Sequence, residues 1–361
     1  MTEAVVDDIV AVLPPLLNAL EALGFFQRHL HPPAFASVMN TIRTPDETLQ
    51  AARAAIREWP EQFAGLRGQL DRACDETLAA FAGIREVERG NGDLVAVFRA
   101  LRHVPRAQEA LYPLAVQFPP VSSFFPNAAN RENADLLARL EVGASENTGS
   151  FHDDNEPGSR GGFSVYVPEY YTPEHAMPLV MALHGGSGNG RGFLWNWLRD
   201  ARSLGAILVA PTATGQTWAL MGEDTDTPNL NRIIDQVRAR WTIDETRMLL
   251  TGMSDGGTFS YVSGLDGASR FTHLAPVAAT FHPLMAEVAD ATRLQGLPVF
   301  ITHGRLDWMF PVQTARQTQG LLSAAGAKVI YREIDDLSHT YPREINTEIM
   351  QWLNGERADG V

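Results

Sequence analysis

The chain has 361 residues, a formal net charge of −14 and an apolar fraction of 45%, which suits one large domain or two domains with a buried core. Its acidic residues are spread along the chain, so nucleic acid and anionic membrane surfaces are not expected as main partners. Cys74 is the only cysteine, which excludes an intrachain disulfide.

The sequence lacks the motifs of several kinds of binding and metal site. Lys328 is the only lysine, so no Walker A loop is present, and neither H-E-x-x-H nor a pair of C-x-x-C motifs occurs. The acidic N-terminus lacks the basic region of a signal peptide, and no uninterrupted apolar stretch is long enough to span a bilayer. We therefore expect a cytoplasmic protein without a metal site or an integral membrane segment.

From the start of the chain to about residue 140, apolar residues recur at helical spacing. Pro14 and Pro15 suit the first turn of a helix. Thr44 and Glu47 have the spacing of a capping box. We predict an all-helical domain over residues 1–140, in which the apolar stripes form the core between helices.

The role of this helical domain has two alternatives. Phe118, Phe124 and Phe125 lie among prolines and are expected to be exposed, which a domain that packs only on itself would not require. We expect the domain to dock on the rest of the protein as a cap that narrows access to its site. The alternative is a dimerisation module remote from the site, which would make the protein a homodimer.

Residues 141–162 are rich in glycine, serine, asparagine and aspartate, which predicts a polar linker. Over residues 163–355, short apolar runs alternate with helical patterns, and this predicts an α/β domain with a mostly parallel sheet and helices on both faces. Strands are predicted at residues 163–167, 179–183, 206–210, 248–251, 274–278, 299–302 and 329–334. Helices are predicted near residues 193–204, 230–241, 258–265, 314–324 and 343–353.

Gly252 to Gly256 is the only G-x-S-x-G in the sequence, and it lies between a predicted strand and a predicted helix. This is the setting of a nucleophile elbow, in which a serine occupies a strained turn and its neighbours must lack a Cβ atom. Ser254 is therefore the candidate nucleophile.

Two other strand ends carry the partners that a serine nucleophile needs. Asp307 and His339 each follow a predicted strand, and the chain order serine, acid, histidine is that of α/β-hydrolases. His339 would accept the proton of Ser254 during attack, and Asp307 would orient the imidazole. Asp335 and Asp336 are rival acids, but they lie at the strand end just before His339, so we favour Asp307.

The glycine-rich segment after the strand at residues 179–183 fails G-x-G-x-x-G in either register, which argues against a dinucleotide site. It suits an oxyanion loop, in which backbone N–H groups of Gly186 and Ser187 approach a substrate carbonyl oxygen. The N–H group of Asp255, directly after the nucleophile, would be the second donor.

Three aromatic residues are candidates for a substrate pocket. Trp308 follows Asp307 and precedes Phe310, Phe281 follows another predicted strand, and Trp195 follows the glycine-rich loop. Each of them could equally be a packing residue.

Residues 163–353 resemble small α/β-hydrolases of the phospholipase/carboxylesterase and polyhydroxybutyrate-depolymerase-like esterase group. The matching motifs are Leu183-His184-Gly185-Gly186, Ile243-Asp244-Glu245-Thr246-Arg247, Gly252-x-Ser254-x-Gly256-Gly257, His303-Gly304-x-x-Asp307 and Ser338-His339. The resemblance implies ester hydrolysis through an acyl-enzyme without a cofactor. It also implies structural roles for His184 and His303, and a pair between Asp244 and Arg247 that braces the elbow. Asp255 departs from the family, in which Gln, Asn or Ala is frequent after the serine, and its carboxylate is expected to disfavour anionic substrates.

The leading interpretation is a serine esterase that acts on a small-molecule substrate, either a small or medium acyl ester or a hydroxyalkanoate-type ester. A serine amidase or peptidase on the same fold is an alternative. A second alternative is a binding protein that has retained the hydrolase fold without activity, although the complete serine, acid and histidine set argues against it.

Overall fold

The computed structural model describes residues 1–90 and 93–355, apart from the side chains of Glu287 and Val288. The chain forms two compact units, Met1–Gly143 and Ala144–Val361.

The first unit is helical in its described residues. Its α-helices are α1 (Glu3–His29), α2 (Phe35–Ile42), α3 (Pro45–Ala54), α4 (Ala64–Glu88), α5 (Leu94–Leu101), α6 (His103–Leu111), α7 (Pro119–Ser122) and α8 (Ala134–Leu140). Short 3-10 helices lie at Pro32–Ala34, Glu61–Phe63, Tyr112–Val116 and Ala128–Asn130. The α4 helix packs against α5 and α6, and α1 packs against α2, α3 and α4. The predicted all-helical region at the start of the chain is confirmed.

The first helix does not start where the prolines predicted. Pro14 and Pro15 lie inside α1, although an interior proline removes a backbone hydrogen bond and costs roughly 3 kcal/mol. The helix buries apolar side chains on both sides of the prolines, among them Val5, Ile9, Val12, Leu16, Leu20 and Leu23. Each such side chain contributes about 1.5–3 kcal/mol when fully buried, so tertiary packing outweighs the local cost.

The predicted capping box does not form. Thr44 precedes α3, but its side chain makes no capping hydrogen bond, and the Glu47 N–H donates to the Thr44 carbonyl oxygen at 3.2 Å. Pro45 occupies the first helical position, where no N–H donor is needed. The Asp46 carboxylate of the first turn accepts from Arg85 Nε at 2.6 Å. Proline and a tertiary ion pair therefore define this helix start.

The α1 helix bears on the expectation about membrane-spanning segments. Of the helices that the structure describes, it alone is long and apolar enough to cross a membrane, with 27 residues and a mean hydropathy of 1.8 in its most apolar window. Buried core helices and signal sequences can have the same length and apolar composition. In α1, 44% of this window is buried inside the protein.

The aromatic residues that were expected to be exposed are buried. The exposed fractions of Phe118, Phe124 and Phe125 are 8%, 5% and 1%. The Phe125 ring makes edge contacts with Tyr112 and Phe124, at centroid distances of 5.3 and 5.1 Å. The cap hypothesis therefore loses the observation that motivated it, and both roles of the helical unit stay predictions.

The second unit is built on one sheet. Its strands are β1 (Gly149–Asp153), β2 (Phe163–Val167), β3 (Met177–Leu183), β4 (Ile207–Pro211), β5 (Ile243–Met253), β6 (His273–Val277), β7 (Pro298–Gly304) and β8 (Lys328–Ile334). The sheet order in the described part of the chain is β1-β2-β4-β3-β5-β6-β7-β8. The β1–β2 and β2–β4 pairs are antiparallel, and the other neighbours are parallel.

Helices connect these strands. They are α9 (Gly190–Leu204), α10 (Asp226–Arg240), α11 (Asp255–Gly264), α12 (Pro283–Val288), α13 (Ala291–Leu294), α14 (Val312–Ala324) and α15 (Ile345–Leu353). The central strands β3 and β4 are buried at nearly every position, as expected for strands covered on both faces. Each predicted strand and helix has a counterpart here, and the predicted α/β-hydrolase fold is confirmed.

The predicted linker contains structure that the sequence reading missed. Residues 149–153 form β1, which pairs with β2 in a register that places Ser150 opposite Tyr166. The strand is short and partly polar, because it lies at the edge of the sheet and only part of each face is covered. Compact structure of the second unit therefore begins before residue 163.

Candidate active site

The turn between β5 and α11 has the strained geometry that the glycine pattern predicted. Ser254 has a φ of 55° and a ψ of −119°, a region that residues with side chains rarely occupy. A Cβ atom on Gly252 would lie 2.6 Å from the carbonyl carbon of Gly256, and a Cβ atom on Gly256 would lie 2.4 Å from the His184 carbonyl oxygen. Only glycine fits at either position, and the backbone thereby holds the serine at the end of β5.

Ser254, His339 and Asp307 form a chain of hydrogen bonds. The Ser254 hydroxyl lies 3.0 Å from His339 Nε2, and His339 Nδ1 lies 2.8 Å from Asp307 Oδ2. All three side chains are largely buried. Because the carboxylate can only accept from Nδ1–H, Nε2 is left as the acceptor for the serine hydroxyl. The structure thus brings together the three residues that the sequence selected.

Asp307 is held as a carboxylate by its surroundings. Burial raises its pKa, but hydrogen bonds from His339 and the Phe310 N–H, with the nearby charges of His339 and His303, outweigh burial and lower the pKa below its usual value. The other oxygen, Oδ1, accepts from the N–H groups of Met309 and Phe310 at 2.9 and 2.8 Å. An ionised, immobile acid can orient the imidazole and stabilise its protonated form.

The two rival acids lie elsewhere. Asp335 is 82% exposed in its side chain and pairs with Arg305 at 3.1 Å. Asp336 is also exposed. The carboxylate in contact with His339 Nδ1 is that of Asp307.

The loop after β3 lies beside the nucleophile. A Cβ atom on Gly185 would be 3.6 Å from Ser254 Cβ, and the next two residues, Gly186 and Ser187, are exposed. The Gly188 N–H donates to the Gly185 carbonyl at 3.1 Å, and Ser187 has a φ of 56°, so the loop is a tight turn. Its backbone is open to an incoming carbonyl group, as an oxyanion loop requires.

The other predicted donor of the oxyanion hole is the N–H of Asp255. Asp255 is the first residue of α11, where backbone N–H groups have no acceptor within the helix. Its side chain lies against the loop, since Asp255 Oδ2 is 2.8 Å from the position of a Cβ atom on Gly186. The Gly186 backbone and the helix start therefore lie next to each other.

His184 connects this loop to the one after β4. Its Nδ1–H donates to the Gly185 carbonyl at 2.6 Å, its Nε2 accepts from the Ala213 N–H at 3.1 Å, and its own carbonyl accepts from Trp218 Nε1 at 2.7 Å. Burial lowers its pKa to about 4, so the ring is neutral at physiological pH. These contacts fit the structural role that the resemblance implied.

His303 has a comparable supporting position. Its Nε2–H donates to the Phe310 carbonyl at 2.8 Å and lies 3.5 Å from Asp307 Oδ2. The imidazole is buried. It holds the turn that carries Asp307.

The Asp244–Arg247 pair is present at the other end of β5. Arg247 Nε donates to Asp244 Oδ2 at 2.6 Å, and its Nη1 donates to Asn354 Oδ1 at 2.7 Å. The pair joins the start of the strand that carries the elbow to the end of α15.

The three pocket candidates differ in position. Trp308 is 44% exposed and its ring centroid lies 6.3 Å from that of His339. Phe281 instead packs in the core, with its ring 4.9 Å from Tyr261, and Trp195 is buried within α9. Phe281 and Trp195 thus lie among packed side chains, and their roles as pocket residues stay predictions.

Two further residues lie near the site, Phe310, which the sequence places in the aromatic run after Asp307, and Thr217. The Phe310 ring lies 5.1 Å from the His339 ring, in an edge contact, and its place shortly after Asp307 was the available signal. Thr217 donates its hydroxyl to Asp255 Oδ2 at 2.5 Å. Nothing in the sequence marked Thr217, because the loop that contains it has no periodic pattern.

Among the residues that the structure describes, no cluster of three or more His, Cys, Asp or Glu side chains could hold a metal ion.

The fold and the serine-bearing turn are those of the α/β-hydrolase class. Residues 221–355 match the family model described as Phospholipase/Carboxylesterase. This stretch includes Ser254, Asp307 and His339, and the resemblance to that group is confirmed for it.

Curated relatives extend the similarity. Over 211 residues the chain is 29% identical to a bifunctional acetylxylan esterase/xylanase from Neocallimastix patriciarum, a match that covers 57% of this chain and 30% of that protein. Over 116 residues it is 35% identical to a probable feruloyl esterase C from Aspergillus terreus (strain NIH 2624 / FGSC A1156), covering 30% of this chain and 43% of that protein. The matches thus span less than half the length of these relatives.

Among solved structures, a thermostable esterase is similar with a TM-score of 0.47 and 17% sequence identity, over 58% of this chain and 63% of that one.

Proposed function

We propose that this protein is a serine carboxylic ester hydrolase that acts through an acyl-enzyme intermediate. The observation that supports this most directly is the hydrogen-bonded chain from Ser254 through His339 to Asp307, with distances of 3.0 and 2.8 Å, on a strained turn at the end of a buried strand. A hydroxyl on such a turn is held away from the backbone and beside its base.

The chemistry follows from the positions of these groups. Ser254 Oγ attacks the acyl carbon while its proton passes to His339 Nε2. Asp307, which stays ionised, stabilises the imidazolium that forms. The N–H groups of Gly186 or Ser187, together with that of Asp255, would bind the developing oxyanion.

His339 then returns the proton to the alcohol that leaves, and a water molecule, activated by the same histidine, hydrolyses the acyl-enzyme. The neutral ring of His184 joins the loop after β3 to the loop after β4.

The substrate class is proposed from the relatives and from the aromatic residues near His339. Two relatives are named for acetyl and feruloyl esters, which supports a small acyl or an aromatic acyl group. Trp308 offers an exposed aromatic surface beside the histidine, suited to contact with such a group. A hydroxyalkanoate-type ester remains a candidate for the same test.

The test is labelling followed by turnover. A fluorophosphonate probe should label the wild type and fail to label Ser254→Ala, while Ser323→Ala, which changes an exposed serine of α14, should be labelled normally. The wild type should hydrolyse p-nitrophenyl acetate or butyrate, or methyl ferulate, faster than the matching anilides.

The other outcomes identify the alternatives. Faster turnover of the anilides would indicate an amidase. A folded wild type that is neither labelled nor active on any ester or anilide would indicate a binding protein on a hydrolase fold. Labelling of Ser254→Ala would show that another residue is the nucleophile.

A further inference from the structure

The residue after the nucleophile places a carboxylate beside the Gly186 backbone of the predicted oxyanion loop. Asp255 is half-buried at the start of α11. Its Oδ2 atom lies 2.8 Å, and its Oδ1 atom 4.0 Å, from the position that a Cβ atom on Gly186 would occupy. The side chain therefore points along the oxyanion loop and not into the solvent beyond the helix.

The carboxylate accepts a hydrogen bond from a neutral group. Thr217 Oγ1 donates to Asp255 Oδ2 at 2.5 Å, which joins the elbow to the loop after β4. In the described part of the chain, no arginine, lysine or histidine nitrogen lies within ion-pair distance of Asp255. Arg160, which binds the oxyanion loop, donates to the Gly188 carbonyl at 3.1 Å instead. The negative charge at this position is thus not neutralised by a partner.

A helix N-terminus stabilises such a charge, so the carboxylate is tolerated without a cationic partner. A charge next to a partly desolvated site acts strongly on a second charge a few ångströms away, because little water screens the pair. In a bound ester the carbonyl oxygen would point at this loop, and the acyl chain extends from the carbonyl carbon. A charged group close to that carbon would therefore interact with Asp255.

We propose that Asp255 selects substrates by charge: the site discriminates against esters whose acyl group carries a negative charge near the carbonyl, and favours neutral or cationic acyl groups. This inference rests on the proposed ester hydrolysis, since it concerns the choice among ester substrates. Asp255 acts here as a specificity-determining side chain, separate from the role of its N–H group.

Three methyl esters of similar size provide the probe. They are monomethyl succinate, which is anionic at neutral pH, methyl pentanoate, which is neutral, and methyl 4-(trimethylammonio)butanoate, which is cationic. For each, kcat/KM is measured by pH-stat titration for the wild type, Asp255→Asn and Thr217→Val. The first variant removes the charge but keeps the shape, the N–H group and an acceptor for Thr217. The second keeps the charge and removes the hydroxyl.

In Asp255→Asn the ratio of kcat/KM for the anionic ester to that for the neutral ester should rise about tenfold, which corresponds to about 1.4 kcal/mol. The ratio for the cationic ester to the neutral ester should fall. In Thr217→Val both ratios should stay within about twofold of the wild type, because the charge is retained.

Unchanged ratios in Asp255→Asn would overturn the inference, and so would an equal change in Thr217→Val, which would assign the selectivity to the loop contact. If Asp255→Asn does not fold, as judged by circular dichroism, the inference is tested on the wild type alone, by measuring kcat/KM for the same esters at several salt concentrations. Added salt should raise its anionic-to-neutral ratio by screening the charge, and a ratio independent of salt would overturn the inference. Absence of turnover of every ester by the wild type would instead refute the proposed esterase function.

Discussion

Each unit of this protein holds an aspartate that is almost fully buried, and the two carboxylates are satisfied in different ways. In the first unit, Asp8 accepts from Arg57 Nε at 3.0 Å, from the Arg57 backbone N–H at 3.1 Å and from Trp59 Nε1 at 2.9 Å. In the second unit, Asp307 accepts from His339 Nδ1 and from two backbone N–H groups. Burial raises the pKa of each carboxyl, and in both cases hydrogen bonds to the carboxylate outweigh burial and lower the pKa.

The difference lies in the partner's ability to exchange a proton. A guanidinium is permanently charged, so the Asp8–Arg57 pair can only hold structure. An imidazole can gain and lose a proton, and His339 also contacts a hydroxyl through its second nitrogen. Similar burial and similar pKa directions therefore accompany a structural link in one unit and a candidate proton relay in the other. A shifted carboxyl pKa is informative about function only together with its partner.

The largest expected effect is on turnover. Asp307→Asn should lower kcat for a p-nitrophenyl ester by about 10³–10⁴-fold with little change in KM, because an amide favours the wrong imidazole tautomer. Steady-state kinetics on the purified variant checks this. Asp8→Asn, a matched change at the other buried aspartate, should leave kcat unchanged in the folded protein.

The two exposed aspartates near His339 in the sequence, Asp335 and Asp336, serve as further controls for the assignment of the acid. Asp335→Asn and Asp336→Asn should each change kcat by less than about twofold, since exposed charges interact weakly. If either were as damaging as His339→Ala while Asp307→Asn was mild, the assignment of the acid would be incorrect and the contrast with Asp8 would disappear.

The second prediction concerns acid sensitivity. Burial lowers the pKa of His184 and of His273 to about 4, from an ordinary value of 6.5. Between these pH values the unfolded chain binds protons that the folded chain does not, so the free energy of unfolding should fall as the pH falls from 6.5 to about 4. The slope is on the order of 1 kcal/mol per pH unit for each histidine.

Urea unfolding followed by circular dichroism across this pH range provides the measurement. His273→Gln should reduce the slope, whereas His175→Gln, at an exposed position, should leave it unchanged. An unchanged slope in His273→Gln would show that its burial does not depress protonation in the folded state. Asp307 acts at lower pH, because its lowered pKa stabilises the fold above about 3.8 and that contribution is lost on further acidification.

The third prediction addresses the helical unit as a whole. A shortened chain that starts at Ala144 keeps the whole of the second unit, including the edge strand β1. If the helical unit is a cap, the shortened enzyme should hydrolyse long acyl esters better relative to short ones, by a few fold, since access to Ser254 is widened. A panel of p-nitrophenyl esters of increasing chain length, with light scattering for the oligomeric state, gives the answer. An unchanged preference together with loss of a dimer would favour the dimerisation module.

The site was largely predictable because each of its residues follows a strand with a clear local pattern. The apolar runs before Ser254, Asp307 and His339 identify strands, and parallel strands bring their carboxyl ends to one edge. The contact between Thr217 and Asp255 depends on the path of an irregular loop, which no periodicity encodes. The burial of Phe125 was likewise unpredictable, since the local sequence around an aromatic residue beside prolines does not indicate which other residues pack against it.

The smallest expected effects test whether the first unit is held by the contacts seen in the structure and not by those the sequence suggested. Asp93 caps α5, where its side chain accepts from the Ala96 N–H at 3.1 Å, whereas the Thr44 side chain makes no capping bond at α3. Asp93→Ala should therefore lower the free energy of unfolding by about 1 kcal/mol, and Thr44→Ala by less than about 0.5 kcal/mol. Urea unfolding at neutral pH measures both, and kcat should be the same in the two variants and the wild type. Equal losses would mean that Thr44 caps its helix in solution, and the capping box that the sequence predicted would then be restored.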